Sequence, residues 1–161
     1  PHYESENLYI EALVKSIKKK VSEISWKPDL IIASYHGIPK SYFDKGDPYQ
    51  CYCQKTSRLM KEQFTSIEIK TTFQSRFGPQ EWLQPYTDKT LESLPGQGIK
   101  NILVICPGFS SDCVETLEEI NIQGKESFLK SGGVNFDLIP CLNDNPDHIK
   151  LFEALIKRYL I

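Results

Sequence analysis

Apolar residues along this chain follow two alternating spacings. Leu13, Val14, Ile17, Val21 and Ile24 recur three or four positions apart, which predicts an amphipathic helix over about residues 5–24. Pro28-Asp29 ends it, and Leu30-Ile31-Ile32-Ala33 follows as a short unbroken apolar run, the pattern of a strand buried on both faces of a parallel sheet. The same alternation repeats down the chain. A helix is expected over about 52–64, a strand over 67–73, a short helix from Thr87 to before Gly96, and a strand over 101–106. A long helix is expected over about 112–130, stopped by Gly132-Gly133, then a strand over 134–139 and a final helix from near Pro146 to Leu160.

One helix followed by four strand–helix units implies an α/β fold: a four-stranded parallel sheet flanked by helices on both faces, with right-handed crossovers. In such sheets ligands bind beyond the carboxyl ends of the strands. The loops over 34–48, 74–86, 106–112 and 140–146 therefore carry the expected function, and they hold most of the unusual residues. Asp112 with Glu115 three positions later also fits a capping box at the start of the long helix.

At 161 residues the chain suits one domain with a real core. It opens at Pro1-His2-Tyr3 rather than at a methionine, so it is expected to be a piece of a longer chain. The formal net charge of −2 leaves no broad basic field for nucleic acid. Lys15, Lys18, Lys19 and Lys20 read as one solvated helix face. No apolar run reaches the ~20 residues of a membrane span. Five cysteines, an odd number without the spacing of a secreted scaffold, point to a reducing cytoplasm. Cys51-Tyr52-Cys53 would need two more ligands to hold a metal or an iron–sulfur cluster, and no second close pair exists. The glycine patterns of nucleotide sites and the G-x-S-x-G elbow of serine hydrolases are missing.

Among the loop residues, His36 directly follows the first strand, where an imidazole can ligate a metal, accept a proton, or merely cap the strand end. Glu115 and Glu119 lie four apart on one predicted helix face aimed at the same crevice. Carboxylates with an imidazole suit a divalent first-row metal. Arg76, Phe77 and Trp82 share a loop that either packs a flat, carboxylated ligand or folds back onto the core.

Four blocks go further. They are Ser34-Tyr35-His36-Gly37-Ile38-Pro39 with Gly46-Asp47-Pro48-Tyr49; Gln74-Ser75-Arg76-Phe77-Gly78-Pro79 with Trp82-Leu83 and Pro85; the run from Gly108 to Glu119; and Pro140-Cys141-Leu142-Asn143. In this order they resemble the ferrochelatases. The resemblance implies a chelatase-like fold of two similar halves around a porphyrin cleft, with residues 1–161 forming the C-terminal half. It implies insertion of ferrous iron into protoporphyrin IX to give protohaem, the last step of haem biosynthesis. On that resemblance His36 and Glu115 bind the metal, and His36, Glu115 and Glu119 are catalytic, Glu119 leading away from the centre. Trp82, Tyr49 and Arg76 line the porphyrin pocket. The partners implied are protoporphyrin IX, ferrous iron and an N-terminal half, with peripheral membrane contact and no nucleic acid. No cofactor is required beyond the substrate iron, and no cysteine-bearing C-terminal extension is present to hold a cluster. Cys113 stands where some relatives carry another potential ligand, which bears on metal preference. The residues alone leave other readings open: a short homodimeric chelatase for another tetrapyrrole and metal, a non-catalytic haem- or metal-binding module, or a plain flavodoxin-like domain.

Overall fold

The computed structural model describes residues 2–160. Four strands, β1 (Leu30–His36), β2 (Ile69–Gln74), β3 (Asn101–Ile105) and β4 (Asn135–Leu138), form one parallel sheet in the order β2-β1-β3-β4. The α/β architecture expected from the alternating spacings is present. On one sheet face Ile31, Ala33, Ile69, Leu103 and Ile105 pack under α1 (Asn7–Glu23), α3 (Tyr49–Gln63) and α7 (Pro146–Lys157). On the other, Leu30, Ile32, Ile102, Val104 and Phe136 pack under α4 (Thr87–Ser93) and α6 (Lys125–Lys130), with Leu91 and Phe128 fully buried between them. Successive strand side chains alternate between two covered faces, which is why β1 and β3 read as unbroken apolar runs.

Several elements differ from the sequence expectation. β1 runs on to His36, because Ser34, Tyr35 and His36 still pair with Thr72, Phe73 and Gln74. The loop after it contains a short helix, α2 (Lys40–Asp44), and α3 starts at Tyr49, whose N–H donates to Asp47 Oδ1 at 2.9 Å. The largest correction concerns the helix expected over 112–130. It is three pieces: α5 (Val114–Leu117), a π-helical segment (Glu119–Gly124) and α6. The cause lies in side-chain anchoring. Glu119 is tied to the end of β2, and Gly124 passes so close to Leu91 that an added Cβ would lie 3.1 Å from its Cδ1. Holding both points widens the turn between them.

Among the described residues no helix is long and apolar enough to cross a membrane.

Candidate active site

All four strands deliver residues to one end of the sheet. His36 closes β1. The next residue, Gly37, donates its N–H to Gln74 O at 2.7 Å, and a Cβ there would stand 3.0 Å from that oxygen and 3.3 Å from Trp82 Cε3. Only glycine lets the chain leave the strand this tightly. His36 Nδ1 lies 2.6 Å from Gly37 O. A carbonyl oxygen can only accept, so Nδ1 carries the hydrogen and the Nε2 lone pair is left for a metal or a proton. Tyr49 steadies the same turn, its hydroxyl donating to His36 O at 2.8 Å.

Across from His36 stands Glu115 in the first turn of α5. Its backbone oxygen accepts from Gln74 Nε2 at 2.7 Å. Hydrogen bonding from the Cys113 thiol, then from its own backbone, holds its carboxyl below the ordinary carboxylate value, and a protonated His36 adds to this by charge. His36 and Glu115 are thus brought within electrostatic reach of each other, and Glu115 is ionised at neutral pH. The expected capping box is replaced by another. Cys113 is the cap residue, its backbone N–H donating to the Thr116 hydroxyl oxygen at 3.0 Å. Asp112 turns the opposite way, toward the loop after β4.

Glu119 differs from Glu115. Its Oε1 accepts from Ser75 N at 2.7 Å, while Oε2 takes the Ser75 hydroxyl and Gln74 Nε2, the latter at 3.2 Å. Ser75 sits at φ 61°, a left-handed conformation unusual for serine, which points its N–H at the carboxylate. Behind it runs a buried polar chain: Gln74 Oε1 accepts from Ser34 Oγ at 2.7 Å, and Ser34, Thr87 and Thr72 follow at 2.8 Å steps. Gln74 and Ser75 stand in the second of the four sequence blocks, where no role is expected of them. A glutamine at the end of a strand buried on both faces was the available signal.

A cleft of about 540 Å3 opens beside these groups, bordered by Arg76, Phe77, Glu115 and Glu119. His36 is not among its walls, whereas Glu115 both borders the cleft and lies within electrostatic reach of the imidazole. Arg76 lies along the rim, donating to Asp88 at 2.6 Å with its guanidinium carbon 4.0 Å from the centre of the Tyr86 ring. Trp82 is only 8% exposed and donates Nε1–H to Phe77 O at 2.9 Å, whereas Phe77 is 66% exposed. Trp82 and Tyr49 stand outside this cleft. Tyr49 borders a separate hollow of about 200 Å3 on the other side of β1, with Tyr35 and Cys53. Cys51 is exposed and Cys53 buried, so the two thiols point apart. Among the described residues no group of three or more His, Cys, Asp or Glu side chains converges on one point.

Comparison with known proteins bears on this arrangement. The family model described as Ferrochelatase matches residues 1–160. A ferrochelatase of Rhizobium etli (strain CIAT 652) is 56% identical over 99% of this chain and 47% of that protein. Those of Rhizobium meliloti (strain 1021) and Brucella ovis are 54% and 51% identical, over 99% and 100% of this chain and 48% and 46% of theirs. The chain therefore spans about half the length of these relatives. Among solved structures, the CbiX protein of Marinobacter aquaeolei VT8 shares the fold, with a TM-score of 0.53 and 19% identity over 83% of this chain and 98% of that one. With the family model covering nearly every residue and relatives above half identity, the chain belongs to the ferrochelatase family.

Proposed function

We propose that this chain is the metal-handling half of an enzyme that inserts ferrous iron into protoporphyrin IX to form protohaem. The observation that carries the reading is the nearness of His36 and Glu115: an imidazole whose Nδ1–H is fixed on Gly37 O, which leaves Nε2 as its free edge, within electrostatic reach of a carboxylate held ionised.

Insertion exchanges one Fe2+ for the two pyrrole N–H protons, with no change in oxidation state. His36 Nε2 presents the metal or takes a pyrrole proton, and it can serve in turn because its tautomer is already set. Glu115 balances the positive charge as iron and protons pass each other at the ring. Glu119 is the second acid of the cleft, anchored by Ser75 and Gln74, and offers the released proton a path away from the centre. Arg76 offers a cation to a propionate at the rim. Trp82 and Tyr49 back the pocket wall, Trp82 by supporting the Phe77 backbone and Tyr49 by bracing the His36 turn.

The chain's partners in this reading are protoporphyrin IX, ferrous iron and a second half that closes the cleft, since the relatives are about twice as long. No cofactor beyond the substrate iron is invoked, and no iron–sulfur cluster. Nucleic acid is not a partner for a chain of net charge −2. Five unpaired cysteines support a cytoplasmic setting, and peripheral membrane contact belongs to the same reading.

The test is zinc or ferrous iron insertion into a soluble porphyrin, followed by absorbance, in this chain and the full-length protein, each with its His36→Ala variant. Insertion that vanishes with His36 supports the reading. Unchanged insertion without His36 removes the site assignment, and no insertion by any form removes the function.

A further inference from the structure

The fourth sequence block, Pro140-Cys141-Leu142-Asn143, has no part in the chemistry above. It lies after β4, an edge strand, and touches neither His36 nor Glu115 by any hydrogen bond. Yet its polar atoms converge on Asp112. Asp112 N–H donates to Asn143 Oδ1 at 2.8 Å, and Asn143 Nδ2 donates to Asp112 Oδ2 at 2.8 Å, a reciprocal pair between one backbone and two side chains. Oδ1 of Asp112 accepts from Cys141 N at 3.1 Å and from the Thr116 hydroxyl at 3.2 Å. Asn143 N donates in turn to Ser110 O at 3.0 Å. Both carboxylate oxygens of Asp112 are therefore committed to the β4 loop or to the first turn of α5.

This joint fixes what precedes and follows Glu115. Asp112 is the residue before the α5 cap, and Thr116, wholly buried, is the residue after Glu115. Asn143 itself is locked. It adopts φ 46°, left-handed backbone that asparagine tolerates, and its carbonyl accepts from His148 Nδ1 at 2.8 Å. His148 is 1% exposed, and among the described residues nothing hydrogen-bonds its Nε2, so its one polar contact is spent on Asn143.

Resting on the chelatase reading, we infer that Asn143 is a positioning residue for that reaction: through Asp112 it sets the start of α5 and so the place of Glu115 opposite His36. Asn143 touches no reacting atom. It acts on the step in which Glu115 takes part and leaves porphyrin binding alone.

The experiment uses the full-length protein and three variants: Asn143→Gly, which keeps the left-handed backbone but removes the side chain; Asn143→Asp; and Asn143→Asp combined with Asp112→Asn. Asn143→Asp sets two carboxylates face to face, and the double exchange restores one amide opposite one carboxylate. Metal insertion is measured as kcat and as KM for porphyrin, with circular dichroism to establish the fold. Expected are a fall in kcat of about 10–100-fold in both single variants, the range for partners one layer behind a metal site, an unchanged KM, and recovery of most of kcat in the double exchange. A kcat at the parent value in Asn143→Gly overturns the inference alone. So does a loss carried by KM, or a folded double variant that does not recover. A parent protein that inserts no metal overturns the chelatase reading, and this inference with it.

Discussion

Glu115 and Glu119 are the same residue four positions apart, on neighbouring turns of one segment, and their surroundings make them opposites. Glu115 has its carboxylate toward His36, with the Cys113 thiol and its own backbone N–H stabilising the charge. Glu119 has both oxygens tied down by Ser75 and Gln74. A carboxylate with spare lone pairs beside an imidazole is equipped to meet a metal or a proton. One filled by donors from the end of β2 is equipped to hold its segment in place. The difference arises from the wide turn that begins at Glu119: in an unbroken α-helix both side chains would share one face and one role.

Substitutions can break this comparison, and the largest effect is expected at Glu115. Glu115→Gln keeps the shape and removes the charge, so insertion should fall by about 10²–10⁴-fold while the melting temperature stays at the parent value; kinetics and a thermal scan read the two separately. Glu119→Ala should reverse the balance. It leaves Ser75 N and Gln74 Nε2 without their acceptor, which costs about 1–3 kcal/mol and lowers the melting temperature by several degrees, with a smaller loss of insertion than Glu115→Gln. Equal kinetic losses at the two positions would contradict the division of roles. Gly37→Ala is expected to come next, since the new Cβ meets Gln74 O and the Trp82 ring. Crowding of that kind costs about 1–3 kcal/mol and should tilt His36, visible as reduced insertion with the Glu119 anchor intact.

The smallest effect concerns pH. Burial by itself would raise the Asp112 carboxyl, but hydrogen bonds from Asn143, Cys141 and Thr116 outweigh it and hold the group below its ordinary value of 3.8. The unfolded chain then binds the proton more readily than the folded one, so stability rises with pH in this range. The contribution is complete above the unfolded value and is lost as pH falls through the lower, folded one. Denaturant unfolding across the acid range should therefore show a shallower acid loss in Asp112→Asn than in the parent. Identical acid limbs would remove this group from the account.

Much of this was legible in the sequence, and what escaped it has a common physical origin. The unbroken runs in β1 and β3 announced strands covered on both faces, and the polar residues crowded at their ends announced a site. Hidden were contacts between segments far apart in the chain. The helix expected over 112–130 is interrupted because Glu119 answers to Ser75, some forty positions earlier, and helical spacing records only local neighbours. Asp112 looked like a cap because Glu115 follows at the right distance, yet Cys141 and Asn143 are better partners than its own helix. Trp82 could be read either way. The structure folds its ring against Gly37, and Phe77 takes the exposed place beside the cleft.

The central claim, that His36 and Glu115 act as one unit in metal insertion, is tested most directly by a double-mutant cycle. The kcat for insertion is measured in the full-length parent, His36→Ala, Glu115→Gln and the combined variant. If the two groups serve one step, the combined variant loses about as much as the worse single variant, because removing either partner already disables the pair. Losses that multiply, as for two groups working independently, would contradict the claim.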